Sequence, residues 1–498
     1  MKKINITKCM LILACLFGIT SVKAQFVQST KIVSENREGR AEYGTSVDIT
    51  EDFAIVGTSR ETSASGAAYM YSKDSQGTWS FAQKLEPTDL NAGAEYGGGV
   101  KFSDDYVVVA AGRIDIGSTI RAGALYVYDY QNNNWEFSTK LVASDLSSDA
   151  KMGMNPTSLD VEGNTIVAGA PGEDAWTGSV YIFTKVGGVW EETQKIMSPN
   201  PQPNDTFGIG VSISGDNLLV GAQGVDGSRG AGYLYIKNTS GVWEYDQTIT
   251  ASDGALDDYF GSTASLAGDQ IVVGSYGANL ELGSAYIFEK DNQGTFLEVQ
   301  KLNGNPSTES AQFGWATVIE NDYIIVTAPH IYGLEVGEVY IYKKEASGTW
   351  VEDQIVQGDD TEGQDFYGWS ISKYEKELIV GSPREDHDVN GDDEIGDAGS
   401  AYIFNDPSLL GLADYEGNTN EIRLYPNPAQ SNLTIESHSK TIANLKVYSI
   451  SGALLQEVNN VNANTYSMNI SQYNNGVYFV TIRFEDGSAS NQKIIRSN

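Results

Sequence analysis

The sequence predicts an all-β protein: a seven-bladed β-propeller closed by an N-terminal strand and followed by a small β-sandwich. Three observations support this prediction. The 498 residues include 53 glycines and 28 tyrosines, and runs of Val, Ile and Tyr alternate with polar residues at the period typical of strands. An aromatic residue or methionine followed by glycine recurs seven times along the chain. Four strand-like segments recur with each copy, as in a propeller blade.

The recurring dipeptide sets the length of the repeat. Successive copies lie 53 to 56 residues apart, which is the range of propeller and solenoid repeats. In the fourth unit the four segments are VSIS, NLLVGA, GYLYI and WEYDQTI. The seven copies start at Tyr43, Tyr96, Met152, Phe207, Phe260, Phe313 and Tyr367.

The two ends of the repeat complement each other. The seventh unit stops after its third segment, AYIF at 401–404, whereas residues 28–33 (QSTKIV) resemble the fourth segment of the first unit, FAQKL at 81–85. We therefore predict that the N-terminal strand completes the seventh blade, because ring closure removes two exposed sheet edges. The propeller is predicted to span residues 25–406.

Charge and composition exclude several classes of protein. The formal net charge is −34, so the chain lacks the basic footprint that binding to nucleic acid requires. The only two cysteines, Cys9 and Cys15, lie in an N-terminal segment with basic residues, an apolar run at 9–20 and small residues before Gln25. We predict that residues 1–24 are a signal peptide, with acylation of Cys15 as the alternative, and that no transmembrane segment remains after its removal.

The repeated segments resemble a known family. Segments such as SVDI, IVGT, NTIVAGAP and GSVYIF, together with the FG dipeptide, resemble FG-GAP repeats, the units of the integrin α propeller and of many bacterial surface proteins. The resemblance covers residues 26–406 and implies the propeller fold, whereas function must be argued from the site itself.

Functional residues are expected on one face of the ring. The connections between second and third strands, and between fourth and first strands, are long and acidic, and such loops usually carry function. An aspartate lies eight residues before the repeat glycine in four units, where it could attract cations or a basic partner, or instead form an Asx-turn that shapes the loop. These ligand-face candidates are Asp89, Asp145, Asp253 and Asp360.

One acidic loop in the seventh unit has the spacing of a calcium site. Oxygen side chains alternate around Gly391, which allows a short loop to wrap a hard cation. The loop resembles the calcium loops of integrin α propellers, although it follows the second strand where those precede it, and a solvated acidic loop is the alternative. The predicted calcium ligands are Asp386, Asp388, Asn390, Asp392 and Glu394.

The C-terminal segment has a different composition. Residues 407–420 are predicted to be a linker, and residues 421–498 contain short strand-like runs that predict a β-sandwich. The segments LYPNPAQSNLTI, LKVYSISGALL, NNGVYFVTI and KIIR resemble the type A sorting domain of the type IX secretion system of Bacteroidetes. The resemblance implies the secretion machinery as a partner and a secreted or surface-attached location after removal of this domain. The motif residues are Pro426, Asn427, Pro428, Gly476, Tyr478 and Lys493.

No catalytic motif is evident in the sequence. The three histidines, His330, His387 and His438, lie in unrelated contexts without the spacing of a nucleophile or metal site. We therefore expect a secreted or cell-surface binding or adhesion protein without enzymatic activity, which binds an extracellular glycan or protein and holds calcium as its cofactor. The alternatives are an exported carbohydrate-active enzyme that uses loop-face carboxylates, and an architectural surface component.

Overall fold

The computed structural model describes residues 26–406, apart from 76, 146, 305–309 and 391–393, and residues 422–496, apart from 426, 428, 438–439, 450–453, 460, 474–475 and 485–488. Residues 26–406 fall in one compact unit, and the described residues after 421 fall in another. The predicted signal peptide, residues 1–24, and the predicted linker, residues 407–420, lie outside the described residues.

Residues 26–406 form four-stranded antiparallel sheets in a propeller-like repeat, which confirms the predicted fold class. The first three sheets contain β2 (Tyr43–Ile49), β3 (Phe53–Thr58), β4 (Ala67–Lys73) and β5 (Trp79–Leu85); β6 (Tyr96–Phe102), β7 (Tyr106–Ala111), β8 (Ala124–Gln131) and β9 (Asn134–Leu141); and β10 (Leu159–Glu162), β11 (Thr165–Ala170), β12 (Ser179–Val186) and β13 (Val189–Ile196). The next three contain β14 (Gly210–Ser214), β15 (Asn217–Ala222), β16 (Ala231–Lys237) and β17 (Trp243–Ile249); β18 (Ala264–Ala267), β19 (Gln270–Ser275), β20 (Ser284–Lys290) and β21 (Phe296–Asn303); and β22 (Thr317–Glu320), β23 (Tyr323–Ala328), β24 (Glu338–Lys344) and β25 (Trp350–Val356).

The seventh sheet joins the two ends of this unit. It contains β26 (Ser370–Tyr374), β27 (Glu377–Ser382) and β28 (Ser400–Asn405), and its fourth strand is β1 (Val27–Val33). β1 pairs antiparallel with β28, so that Lys31 lies opposite Tyr402. The N-terminal strand thus occupies the position that the sequence predicts for it.

Glycines of the repeat allow neighbouring sheets to approach closely. A Cβ added to Gly381 would lie 2.1 Å from the carbonyl oxygen of Gly44, and one added to Gly57 would lie 2.0 Å from that of Gly97. Gly44 and Gly97 also adopt φ angles of 92° and 87°, which side chains disfavour. Because Gly381 lies in the seventh sheet and Gly44 in the first, the same contact that joins consecutive sheets also joins the last sheet to the first.

A glutamine in the fourth strand holds the anchor aromatic of the next sheet, by which we mean the aromatic residue at the start of the fourth strand of that sheet. Gln194 donates a 2.8 Å hydrogen bond to the carbonyl of Trp243 and accepts one of 2.8 Å from its amide. Gln354 makes the same two bonds with Phe26, at 2.8 and 2.6 Å. Phe26 is therefore the anchor aromatic of the seventh sheet. The same pairing joins Gln83 to Trp135, Gln247 to Phe296 and Gln300 to Trp350.

Helical segments of the described residues are single turns. The turns α1 (Glu61–Ala64), α2 (Glu173–Trp176), α3 (Val225–Ser228) and α4 (Ala278–Glu281) connect second to third strands, and a 3-10 turn, η1 (Pro156–Ser158), precedes β10. Within the described part of the chain, no helix has the length and apolar character needed to span a bilayer.

The C-terminal unit is a small β domain, as predicted. One sheet contains β29 (Ile422–Tyr425), β30 (Asn432–Ser437) and β33 (Thr465–Asn469), and the other contains β32 (Leu454–Val458), β31 (Ile442–Ser449), β34 (Gly476–Phe484) and β35 (Ala489–Arg496). Buried side chains from both sheets, among them Leu433, Ile435, Val447 and Ile482, form one hydrophobic core.

Candidate functional site: an aromatic wall in the channel

The first strands of the sheets line a cavity of about 560 Å³, which we call the central channel. Its wall contains residues from β2, β6, β10, β14, β18, β22 and β26. Each first strand contributes one equivalent residue to the channel wall. In the first sheet it is the residue paired with Ile55 of β3. In sheet order this position carries Asp48, Lys101, Asp160, Ser212, Ser265, Val318 and Ser372.

Charged residues occupy one side of the channel. Burial lowers the pKa of Lys101, but the carboxylates of Asp48 and Asp160 together outweigh it, so the pKa lies above its usual value and the ammonium stays charged. Burial raises the pKa of Asp160, and Lys101 opposes that rise. The three side chains therefore form one interacting group in which the lysine lies between two acids in sheet order.

The two carboxylates also connect neighbouring sheets. The amide of Phe102 in β6 donates a 2.6 Å hydrogen bond to Asp48, and the amide of Ile213 in β14 donates one of 2.9 Å to Asp160. One carboxylate oxygen of each aspartate is thus engaged by a backbone amide of the next sheet. We assign them a structural role in holding the first strands together.

Aromatic side chains form a wall on another side of the channel. We define the aromatic wall as Tyr276, Trp315 and Trp369, which all line the cavity and are half-buried. The ring centroids of Trp315 and Trp369 are 4.7 Å apart with planes at 45°, and those of Tyr276 and Trp315 are 5.2 Å apart at 52°. The three rings are in contact, so they form one continuous curved surface.

A second layer of rings supports the wall. Tyr259 stacks on Tyr276 with centroids 5.0 Å apart and planes at 11°, and Phe366 stacks on Trp369 at 5.8 Å and 14°. The guanidinium of Arg384 lies 4.3 Å from the centre of the Phe366 ring. Because rings are packed behind the outer members, the wall is held in place before any ligand binds.

Polar atoms of the wall are available to a ligand. Within the described residues, Trp315, Trp369 and Tyr276 make no side-chain hydrogen bond, and their polar atoms are not sealed from solvent. Burial raises the pKa of Tyr276, so its hydroxyl remains a donor at neutral pH. The wall therefore combines flat apolar faces with two indole N–H donors and one hydroxyl.

The repeat itself positions the two tryptophans. Trp315 and Trp369 directly follow the repeat glycines, whose amides donate 3.0 Å hydrogen bonds to the carbonyls of Thr327 and Gly381 respectively. These tryptophans are not among the functional residues predicted from the sequence. The available indication was the tripeptide of aromatic, glycine and tryptophan in two consecutive units, where other units have Thr45, Gly98, Met154, Ile209 and Ser262.

The four ligand-face aspartates share one environment. Asp145 accepts a 2.7 Å hydrogen bond from the Tyr181 hydroxyl and pairs with Lys195 at 2.6 Å. Burial opposes the ionised form of Asp145, but the lysine and tyrosine hold its pKa below the usual value. The equivalent partners are Tyr126 and Lys140 for Asp89, Tyr286 and Lys301 for Asp253, and Tyr402 and Lys31 for Asp360. Each aspartate thus binds one tyrosine hydroxyl and one lysine. A role of these aspartates in ligand binding stays a prediction.

The predicted calcium loop is only partly described. Asp392 lies outside the described residues. Asp386 accepts a 2.7 Å hydrogen bond from the amide of Asp397, Asp388 accepts one of 2.8 Å from the amide of Asn390, and Glu394 lies 3.8 Å from His387. Among the residues that the structure describes, no group of three or more His, Cys, Asp or Glu side chains could hold a metal ion. The calcium site remains a prediction.

Four of the six sorting-motif residues are described. Tyr478 is buried in β34 and stacks on Tyr473 with centroids 4.9 Å apart. Gly476 begins β34, Lys493 lies opposite Phe479 in β35, and Asn427 precedes β30. Pro426 and Pro428 lie outside the described residues.

The repeated sheets and their shared channel define a protein of the β-propeller-like class. The family model for the FG-GAP repeat matches more than half of the chain, and the chain therefore belongs to the FG-GAP repeat family. The matched segments are 26–71, 79–128, 135–183, 190–236, 243–288 and 350–404.

Further comparisons concern the tail and the whole chain. The model described as a secretion system C-terminal sorting domain matches residues 423–497, which implies export through the type IX secretion system and a cell-surface or secreted location. A crystal structure of a protein from Lactobacillus plantarum is similar with a TM-score of 0.43 and 11% identity, covering 84% of this chain and 99% of that chain. A search of the curated proteins finds no match.

Proposed function

We propose that this protein is an exported binding protein that attaches to extracellular material through the central channel and the surrounding loop face. The aromatic wall of Tyr276, Trp315 and Trp369 is the observation that carries the proposal. Half-buried rings with free hydrogen-bond donors inside a cavity of about 560 Å³ have the properties of a small-ligand site. The sorting domain supports the extracellular location that such a role requires.

Binding is favoured over catalysis by the state of the carboxylates. Asp89 and Asp145, which an enzyme active on the loop face would use, each bind a lysine and a tyrosine. Asp48 and Asp160 in the channel bind backbone amides. Carboxylates engaged in this way have little freedom to transfer protons, whereas the aromatic wall requires no chemistry to hold a ligand.

The experiment is a binding screen with the exported protein. The protein is purified from culture medium, labelled, and applied to panels of extracellular glycans and proteins, with heat-denatured protein as control. Saturable binding to a member of either panel is expected. Absence of saturable binding to both panels would count against a binding function and in favour of an architectural role.

A further inference from the structure

The curvature of the aromatic wall limits the ligands it can accept. Its rings touch, with centroid separations of 4.7 and 5.2 Å, so no ligand group fits between them. A cage for a quaternary ammonium group needs rings that surround the cation at a distance, and that arrangement is not the one observed. Contact must therefore occur on the parts of the rings that line the cavity, which favours a ligand with a flat apolar face of its own.

Electrostatics further restrict the ligands that the aromatic wall can accept. The formal net charge of −34 repels polyanions at long range. Inside the channel, the cations are already matched: Lys101 lies between Asp48 and Asp160, and Lys373 binds Glu320 at 2.6 Å. An anionic ligand therefore meets long-range repulsion and finds its potential lysine partners already paired, whereas a ligand without formal charge meets neither cost.

The polar groups near the wall suit hydroxyl-bearing ligands. Trp315, Trp369 and Tyr276 offer donors, and Ser262 and Gln223 line the same cavity. The positions equivalent to the two tryptophans carry no aromatic side chain in the other sheets, so the wall occupies one side of the channel. A ring with an apolar face and a rim of hydroxyls meets both requirements.

We infer that the aromatic wall binds a neutral saccharide, with a pyranose ring stacked on Trp315 and Trp369 and its hydroxyls bonded to the indole N–H groups and to Tyr276. The inference rests on the proposed binding function and names the ligand class. A protein ligand is the competing occupant, because aromatic surfaces also bind proteins. The experiment must separate these two occupants.

Neutral glycans are tested with the exported full-length protein and three variants. Trp315→Ala and Trp369→Ala each remove one ring of the wall, whereas Tyr245→Ala is the matched control, because Tyr245 is an exposed aromatic residue of the fourth strand β17, outside both the cavity lining and the loop face. Affinity for the best glycan of the screen is measured by calorimetry. Each wall variant should weaken binding by about tenfold or more, and the control should leave it unchanged.

Folding of the variants is checked by thermal melting. Trp315→Phe and Tyr276→Phe serve if an alanine variant melts early, because Tyr276→Phe removes only the hydroxyl and Trp315→Phe keeps an aromatic ring, although a smaller one, without the N–H. These two variants should weaken binding less than alanine does. A smaller but measurable loss with intact melting supports the inference.

Two results would overturn the inference and spare the proposed function. One is saturable binding to proteins without any to neutral glycans. The other is glycan binding that the wall variants leave unchanged, which would locate the site elsewhere on the protein. Absence of binding by the wild-type protein to every glycan and every protein would overturn both the inference and the proposed binding function.

Discussion

Ser372 in β26 donates a 2.5 Å hydrogen bond to the carboxylate of Asp48 in β2, which joins the last sheet of the repeat to the first across 324 residues of sequence. The same carboxylate accepts the amide of Phe102 from the second sheet. Asp48 therefore links three sheets at the channel, and its neighbour Lys101 depends on it for charge balance.

Replacement of Asp48 should destabilise the propeller-like unit. Asp48→Ala leaves the amide of Phe102 and the hydroxyl of Ser372 without their acceptor, and we expect a loss of about 2 kcal/mol or more in the free energy of unfolding. Ser212→Ala is the matched control: Ser212 occupies the equivalent position and accepts only the Leu266 amide, so a loss of about 1 kcal/mol is expected.

The bond between Asp48 and Ser372 is isolated by a double-mutant cycle. Denaturant unfolding of Asp48→Ala, Ser372→Ala and the double variant should give a coupling energy of about 1 kcal/mol. Strict additivity of the two single losses would contradict a direct interaction.

Lys31 should contribute more to the free energy of unfolding than its equivalent, Lys301. Lys31 pairs with Asp360 at 2.5 Å and with Glu385 at 3.1 Å, and the Glu385 side chain is 0% exposed. Lys301 pairs with Asp253, whose side chain is 56% exposed. Lys31→Met removes the lysine partner of a buried carboxylate that keeps its contacts with Ser400 and His387, and it should cost about 2 kcal/mol, whereas Lys301→Met should cost less than about 1 kcal/mol.

Chemical denaturation monitored by tryptophan fluorescence measures the two losses side by side. The comparison also tests the role of β1, because Lys31 is the charged contact of that strand with the loops of the seventh sheet. Equal losses for the two lysines would mean that the contacts of Glu385 with Ser400 and His387 are sufficient without Lys31.

Much of the fold could be predicted because each repeat contains the short sequence pattern that determines its strands. The period of the aromatic–glycine dipeptide and the incomplete seventh unit together located β1, and the hydrogen bonds of Gln354 to Phe26 explain why the chain start fits there. These features follow from short segments whose pattern recurs, so single-sequence reasoning was sufficient for them.

The aromatic wall could not be predicted from the same sequence. Trp315 and Trp369 are 54 positions apart, and nothing in the pattern shows that their rings lie 4.7 Å from each other. Tyr276 lies in the fifth unit, in the connection that follows β19. Their meeting depends on how three sheets surround the channel, which is a property of packing between repeats and not of any one repeat.

The predicted calcium site should make the melting temperature depend on calcium. If the loop at 386–394 binds calcium in the folded state only, calcium should raise the melting temperature relative to a chelator, because ligand binding to the native state stabilises it. Asp388→Asn should reduce the response, and Asp226→Asn, on an exposed turn outside this loop, should preserve it. An identical response of wild type and Asp388→Asn would remove the site from consideration.

Removal of the sorting domain should block export. A chain ending at residue 420 lacks the segment matched by the sorting-domain model and should accumulate in the periplasm instead of reaching the medium or the cell surface. Fractionation and immunoblotting of the deletion beside the full-length chain measure this difference. A Trp176→Ala chain controls for the effect of an unrelated change in sequence, and secretion of the deletion at the normal level would refute the function of the tail.

Asp365 should make stability fall as the pH rises. Burial raises the pKa of Asp365 from 3.8 to about 7, and the hydrogen bond from the Glu362 amide only partly offsets this rise. The folded state therefore binds a proton more tightly than the unfolded state, so this contribution is complete below about pH 4 and is lost as the pH rises to about 7. Asp365→Asn, which keeps an acceptor for the amide, should be more stable than wild type at pH 8 by at most about 4 kcal/mol and no more stable at pH 4.

Asp253→Asn provides a control of opposite sign. The hydrogen bond from Lys301 holds the pKa of Asp253 below its usual value despite burial, so its carboxylate stabilises the fold above the usual pKa and loses that effect on acidification. Between pH 4 and pH 8 the melting temperature of Asp365→Asn should therefore rise relative to wild type, whereas that of Asp253→Asn should stay below wild type by a constant difference that shrinks only below about pH 4. Parallel pH profiles for Asp365→Asn and wild type would show that Asp365 ionises at its usual pKa in the folded protein.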